Sequence, residues 1–174
     1  MTLSAGGPLG SGEISQAPRQ VGPAGIGGWL ILVIIGLIFN PIRLLLFVVQ
    51  TYPPIFTTGA WEALTTPGGE HYDALWAPLL IFEVAGNALF IIAAITLLVL
   101  LLRRSRWFPR LYVAVAFANL AFILLDAWLG SLVIVDEPMF DPATLKELFR
   151  SLVGVCIWVP YMRLSQRVKN TFVL

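Results

Sequence analysis

Long stretches of this chain run for more than about 18 residues with hardly a charge, the length needed to cross roughly 30 Å of hydrocarbon. Hydrophobic residues fill 58% of the 174 positions and charged residues 12%, against about 45–50% and 25% in an ordinary soluble domain. A soluble core of this size has no use for so much apolar surface, so lipid is the solvent. The fold class expected is an all-α membrane protein, a four-transmembrane-helix bundle. Its spans run from about Ile26 to Gln50, Trp76 to Leu102, Leu111 to Ile134 and Leu145 to Met162. The implied organisation is a disordered tail over 1–25, rich in Gly, Pro, Ser and Gln, a membrane domain over 26–164, and a basic tail over 165–174.

Charge placement sets the expected orientation. The turn Arg103 to Arg110 holds four arginines, and Arg163, Arg167 and Lys169 follow the last span. Positive charge resists translocation, which puts both regions and both termini in the cytoplasm. The connection from Thr51 to Leu75 carries Glu62, Glu70 and Asp73 with no Lys or Arg, and so falls outside. It is long for a connector, reading as a lid or docking surface with a short interfacial helix around Ala60 to Leu64. The third connection, with Asp136, Glu137 and Asp141, also falls outside; Asp141 before Pro142 marks the start of the fourth helix. The Asp136–Glu137 pair reads as a solvated turn.

Composition excludes several functions. Net charge is +1, with no basic-aromatic face or phosphate loop, so nucleic acid is not a partner. Cys156 is the single cysteine and His71 the single histidine; one lies within an apolar run, where packing explains it, and the other in a loop. No thiolate metal site, disulfide or haem ligation follows from these, and no cofactor is expected. The serines of the basic turn and tail lack a neighbouring base, so no catalytic residue is assigned and an enzyme is not expected.

What remains is a set of polar residues inside the spans. Arg43, Glu83 and Asp126 each cost about 2.5–3.5 kcal/mol to insert, and such residues face a partner or a cavity. Counted from the helix ends, all three lie roughly 10–12 Å inside the same outer half. Each has an amide at same-face spacing, Asn40 with Arg43, Glu83 with Asn87, and Asn119 with Asp126. Arg150, near the outer start of the fourth helix, completes a balanced set. Two readings use the same residues: an intramembrane ion-pair network that fixes helix association, or a polar cavity that binds an anionic headgroup or small solute, or relays a proton. On the third helix, Ala114, Ala118 and Ala121 form a small-residue face suited to close packing.

With these residues in view, the chain resembles the DUF2569 family of small four-helix bacterial inner-membrane proteins. The likeness lies in Gly25-Ile26-Gly27-Gly28-Trp29-Leu30, in Asn40-Pro41-Ile42-Arg43, in Trp76 followed by Glu83 and Asn87, and in the closing Ser165-Gln166-Arg167-Val168-Lys169-Asn170-Thr171-Phe172. It implies the bacterial cytoplasmic membrane and four helices, but no particular reaction. The closing cations Arg163, Arg167 and Lys169 suit anionic inner-leaflet headgroups or a cytoplasmic partner. The leading functional expectation is a non-enzymatic accessory or assembly subunit of a larger membrane complex, or a homo-oligomer. The second is a small transport or lipid-binding protein that uses Arg43, Glu83 and Asp126.

Overall fold

In a computed structural model that describes residues 22, 25–69, 71–134 and 138–173, the chain is all helical. The expected tail over 1–25 lies largely outside the described residues, as do Glu70 and the Asp136–Glu137 pair. Three long helices, α1 (Trp29–Thr57), α3 (Trp76–Leu102) and α4 (Trp107–Val133), are long and apolar enough to cross a membrane. A fourth long helix, α5 (Pro142–Leu164), is less apolar, because its first turns carry Lys146, Glu147 and Arg150. Two short helices complete the fold, α2 (Ala60–Thr65) and α6 (Gln166–Thr171).

Helix α1 runs two turns beyond the expected end at Gln50. Pro53 and Pro54 lie inside it, as does Pro41. A proline removes one donor from the ladder and leaves the carbonyl four residues back without its usual partner; the carbonyls of Pro53 and Pro54 themselves, in the last turn, are satisfied from the helix end. The Thr58 amide and hydroxyl both donate to the Pro54 carbonyl, at 2.9 and 2.7 Å, and the Thr57 hydroxyl donates to that of Pro53 at 3.0 Å. The connection to α3 therefore starts at Thr58 rather than Thr51. Within it α2 forms, with Trp61 packed on Phe56 at 5.2 Å between centroids. The start of α5 is as the sequence indicates: Asp141 accepts from the Thr144 amide at 2.7 Å, with proline in the first turn.

The long helices pack in chain order, α1 on α3, α3 on α4 and α4 on α5, while α1 and α5 share no extended packing. The core lies at the end that holds the described chain ends. There Leu30, Val33 and Leu37 of α1 meet Leu97 and Leu101 of α3, Phe108 and Val113 of α4, and Met162 of α5. Trp29 and Trp158 approach edge to face at 6.4 Å, closing α1 against α5 at this end only. Met162 is the single buried residue of α5. Further along, the row of helices opens.

Residues 165–173 do not hang free. Val168, Thr171 and Phe172 are buried, and the Phe172 ring packs on Phe108 at 4.7 Å. The Gly25 amide donates to the Thr171 hydroxyl at 2.9 Å. Arg167 lies over Gly27 and Gly28, where an added Cβ would meet its guanidinium. The glycines of the opening motif are thus the floor on which the closing motif rests. Gly28, with φ of 58°, also occupies the left-handed region that favours glycine.

Between α3 and α4 the helices approach through a ring. Phe122 stacks on Phe82 at 4.9 Å and meets Phe90 edge to face at 5.3 Å. Gly86, midway between those two on α3, leaves the space that Phe122 fills. The small residues Ala114, Ala118 and Ala121 do not play this role. All three are exposed, so the face expected to pack inside the bundle looks outward. Cys156 is exposed as well, on an outer face of α5 rather than in the core.

Candidate functional site: a polar cavity between α1 and α5

Where α1 and α5 part lies a half-open cavity of about 1050 Å³ with walls from all four long helices. Every residue of the expected polar cluster lines it: Asn40 and Arg43 from α1, Glu83 and Asn87 from α3, Asn119 and Asp126 from α4, and Arg150 from α5. They do not share the single depth expected: Glu83 and Asp126 each lie seven residues from the helix ends at Trp76 and Val133, but α1 runs on to Thr57, which sets Arg43 fourteen residues from its end, about 21 Å at 1.5 Å per residue.

The hydrogen bonds within the cavity differ from those that the sequence suggests. Tyr52, in the final turns of α1, donates to Glu83 Oε2 at 3.1 Å and accepts from Asn87 Nδ2 at 2.9 Å. Asn119 donates to the Ser151 hydroxyl of α5 at 3.1 Å. Neither Tyr52 nor Ser151 belongs to the expected set. A tyrosine hydroxyl carries no hydropathy signal, and Pro53-Pro54 read as the end of the helix, which placed Tyr52 in a loop. A small signal existed for Ser151, which follows Arg150 on a stretch otherwise apolar through Val159.

The expected ion pairs do not form. Among the described residues, no Lys or Arg nitrogen lies within 4.0 Å of a carboxylate oxygen. The charges are instead divided by helix. The carboxylates Glu83 and Asp126 lie on the two central helices, within range of one another's charge. The cations Arg43, Lys146 and Arg150 lie on α1 and α5, the helices that flank the opening, and there Glu147 accompanies them. Arg43 and Arg150 are exposed, whereas Glu83 and Asp126 are half-buried. One oxygen, Asp126 Oδ1, is shut off from solvent without a hydrogen-bond partner. A buried acceptor left this way costs about 1–3 kcal/mol, and more when charged.

Apolar side chains continue the cavity walls, with Leu46 and Phe47 on α1 and Val155 and Trp158 on α5. The space is therefore amphipathic, with polar and apolar side chains contributed by each of the four long helices. Of the three basic residues expected at the membrane surface, Arg163 and Lys169 are exposed at the opposite end, and Arg167 is half-buried over the opening glycines.

A bundle of long apolar helices around a polar cavity, with aliphatic side chains exposed along every outer face, defines a multi-pass integral membrane protein. The chain belongs to the family described as Protein of unknown function (DUF2569), whose profile matches residues 23–173. It is similar to Inner membrane protein YdgK of Escherichia coli (strain K12), with 27% identity over 156 residues that cover 87% of this chain and 95% of that protein. No solved structure matches. The protein is a multi-pass protein of the inner membrane.

Proposed function

We propose that this is a four-span, non-enzymatic binding protein that takes an amphiphilic molecule into the cavity between α1 and α5. α5 acts as the fourth span, since 23 residues suffice to cross at 1.5 Å each, with Lys146, Glu147 and Arg150 in its first half beside the cavity and Arg163 in its last turn. Both termini are cytoplasmic, on the same side as Arg103, Arg104, Arg106 and Arg110. The carboxylates Glu83 and Asp126 then lie in the outer half of the membrane, while the cavity's lining continues inward to Val33, Leu37 and Leu97.

One observation carries the reading: charges of both signs line a single cavity without pairing. A network that existed to hold helices together would close on itself, because unpaired charge at membrane depth is costly. Charges held apart around a void suit a guest that pairs with them. The volume, about 1050 Å³, lies just above the range of about 300–1,000 Å³ typical of small-molecule sites, as suits a lipid-sized guest.

Arg43→Gln and Asp126→Asn in the full chain, extracted gently and examined by native mass spectrometry, test the proposal. Normal folded yield with loss of a lipid-sized adduct carried by the unsubstituted protein supports binding. Collapse of the yield in both variants favours a purely structural cluster. Retention of the same adduct by both folded variants removes the site.

A second reading, an accessory subunit or homo-oligomer, has a separate observation in its favour. The exposed Ala114, Ala118 and Ala121 give α4 an outward small-residue face of the kind on which another helix packs closely. A protein subunit that co-purifies in fixed ratio, and is lost on Ala118→Leu, supports it.

A further inference from the structure

We infer that the cavity is built for a zwitterionic phospholipid headgroup, with a phosphate next to the glycerol and a primary ammonium beyond it, entering sideways between α1 and α5. The inference rests on the binding role proposed above and names its ligand class. It follows from the order in which chemical groups are met along the path from the membrane into the cavity.

The opening comes first. α1 and α5 close on one another only at the Trp29–Trp158 end, and beyond it α5 packs on α4 rather than on α1. The slot between them is bordered by Leu46 and Phe47 on one side and Val155 on the other, surfaces that acyl chains wet as readily as they wet the outer faces. At the slot, the flanking helices bring Arg43, Lys146 and Arg150, three cations against the single carboxylate Glu147. Guanidinium and ammonium groups here match a phosphate, in the forked or point-charge manner usual for each.

Behind them, on the two central helices, stand Glu83 and Asp126. Tyr52 holds the Glu83 carboxylate and is itself held by Asn87, so one oxygen of the acidic wall has a protein donor. Asp126 Oδ1 has none, although it is cut off from solvent. A primary ammonium in the cavity offers three donors to the accessible parts of the half-buried Glu83 and Asp126 carboxylates. The sequence lipid, cation rim, carboxylate wall therefore mirrors acyl chain, phosphate, ammonium. A purely anionic headgroup would satisfy the rim and leave the wall repelling it. A soluble zwitterion of the same kind would match both but leave the apolar slot without an occupant.

The test uses the full chain in nanodiscs of equal parts palmitoyl-oleoyl phosphatidylethanolamine and phosphatidylglycerol, released into the gas phase for native mass spectrometry. Phosphatidylethanolamine should be retained over phosphatidylglycerol by about tenfold, the value of one charge-assisted hydrogen-bond set. N-acetyl phosphatidylethanolamine, which keeps the phosphate and loses the ammonium, should lose that advantage. Asp126→Asn should erase the preference between the two natural lipids while leaving some lipid bound.

Equal retention of the N-acetylated and native lipids overturns the zwitterion assignment and leaves amphiphile binding intact. Absence of any retained lipid overturns both. Competition by water-soluble phosphoethanolamine as strong as that by a short-chain phosphatidylethanolamine overturns lateral entry from lipid. The comparison of lipids on the unsubstituted protein needs no variant to fold.

Discussion

The Tyr52 hydroxyl donates to Glu83 at 3.1 Å while accepting from Asn87 at 2.9 Å, and in doing so ties the last turns of α1 to the side of α3 that faces the cavity. Tyr52 is 5% exposed, so both bonds are sheltered. Tyr52→Phe keeps the ring and its edge-to-face contact with Phe47 but leaves two polar partners unsatisfied. The expected loss is about 1–3 kcal/mol, read as a lower unfolding temperature in detergent. If the hydrogen bond to Glu83 carries the effect, the double variant with Glu83→Gln falls by less than the sum of the singles. Strict additivity of the two losses would remove the coupling.

Gly86 is required by the ring opposite it. Phe122 occupies the space that a Cβ at this position would fill, between Phe82 and Phe90. Gly86→Ala should cost about 1–3 kcal/mol through overpacking, whereas Gly130→Ala, where an added Cβ meets nothing within 4 Å, should not. Thermal unfolding of the two variants side by side checks this. Phe122→Leu should restore much of the loss in Gly86→Ala by shrinking the obstructing group.

The closing motif is docked, and its residues should respond unequally. Phe172→Ala removes a ring that is 6% exposed and packed on Phe108, a change that costs about 3–5 kcal/mol in well-packed cores. Lys169→Ala removes an exposed side chain of the same short helix and should leave stability within about 0.5 kcal/mol. Matching losses in the two variants, by folded yield and unfolding temperature, would contradict docking through Phe172.

At the start of α5, the Thr144 amide and hydroxyl hold Asp141 below the ordinary aspartate range. A carboxylate with a depressed folded pKa stabilises the helix start at pH above its unfolded value. That contribution is lost as pH falls through the folded value. The protection factor of the Thr144 amide, its exchange corrected for the intrinsic pH-dependent rate, should therefore fall at acid pH in the unsubstituted protein. Asp141→Asn keeps a capping acceptor but cannot titrate, and should flatten this part of the profile. An unchanged acid limb of the protection profile in Asp141→Asn would assign the loss of protection to another group.

Much of the cavity was visible in the sequence because of what surrounds each member. Arg43, Glu83 and Asp126 stand out as charges within apolar runs, and all line the same space; the shared depth counted from the helix ends holds for Glu83 and Asp126 but not for Arg43, because α1 runs past Gln50 to Thr57. Tyr52 and Ser151 were hidden, since a hydroxyl on a helix is unremarkable without its partner and Pro53-Pro54 resembled a stop. The ion pairs failed for a related reason. Depth is read along one helix, but pairing depends on which helices are neighbours, and here the cations lie on the outermost pair of the row.

Lipid acts on each residue almost independently, so the sequence by itself determined the membrane address, the three strongly apolar helices, the start of α5 and the identity of the buried charges. The tertiary structure decided how those charges meet. It turned the alanine face of α4 outward, folded the closing motif onto Gly27 and Gly28, and parted α1 from α5 beyond Trp29 and Trp158. These outcomes depend on side chains from distant segments fitting one another, and no run of hydropathy along the chain contains that fit.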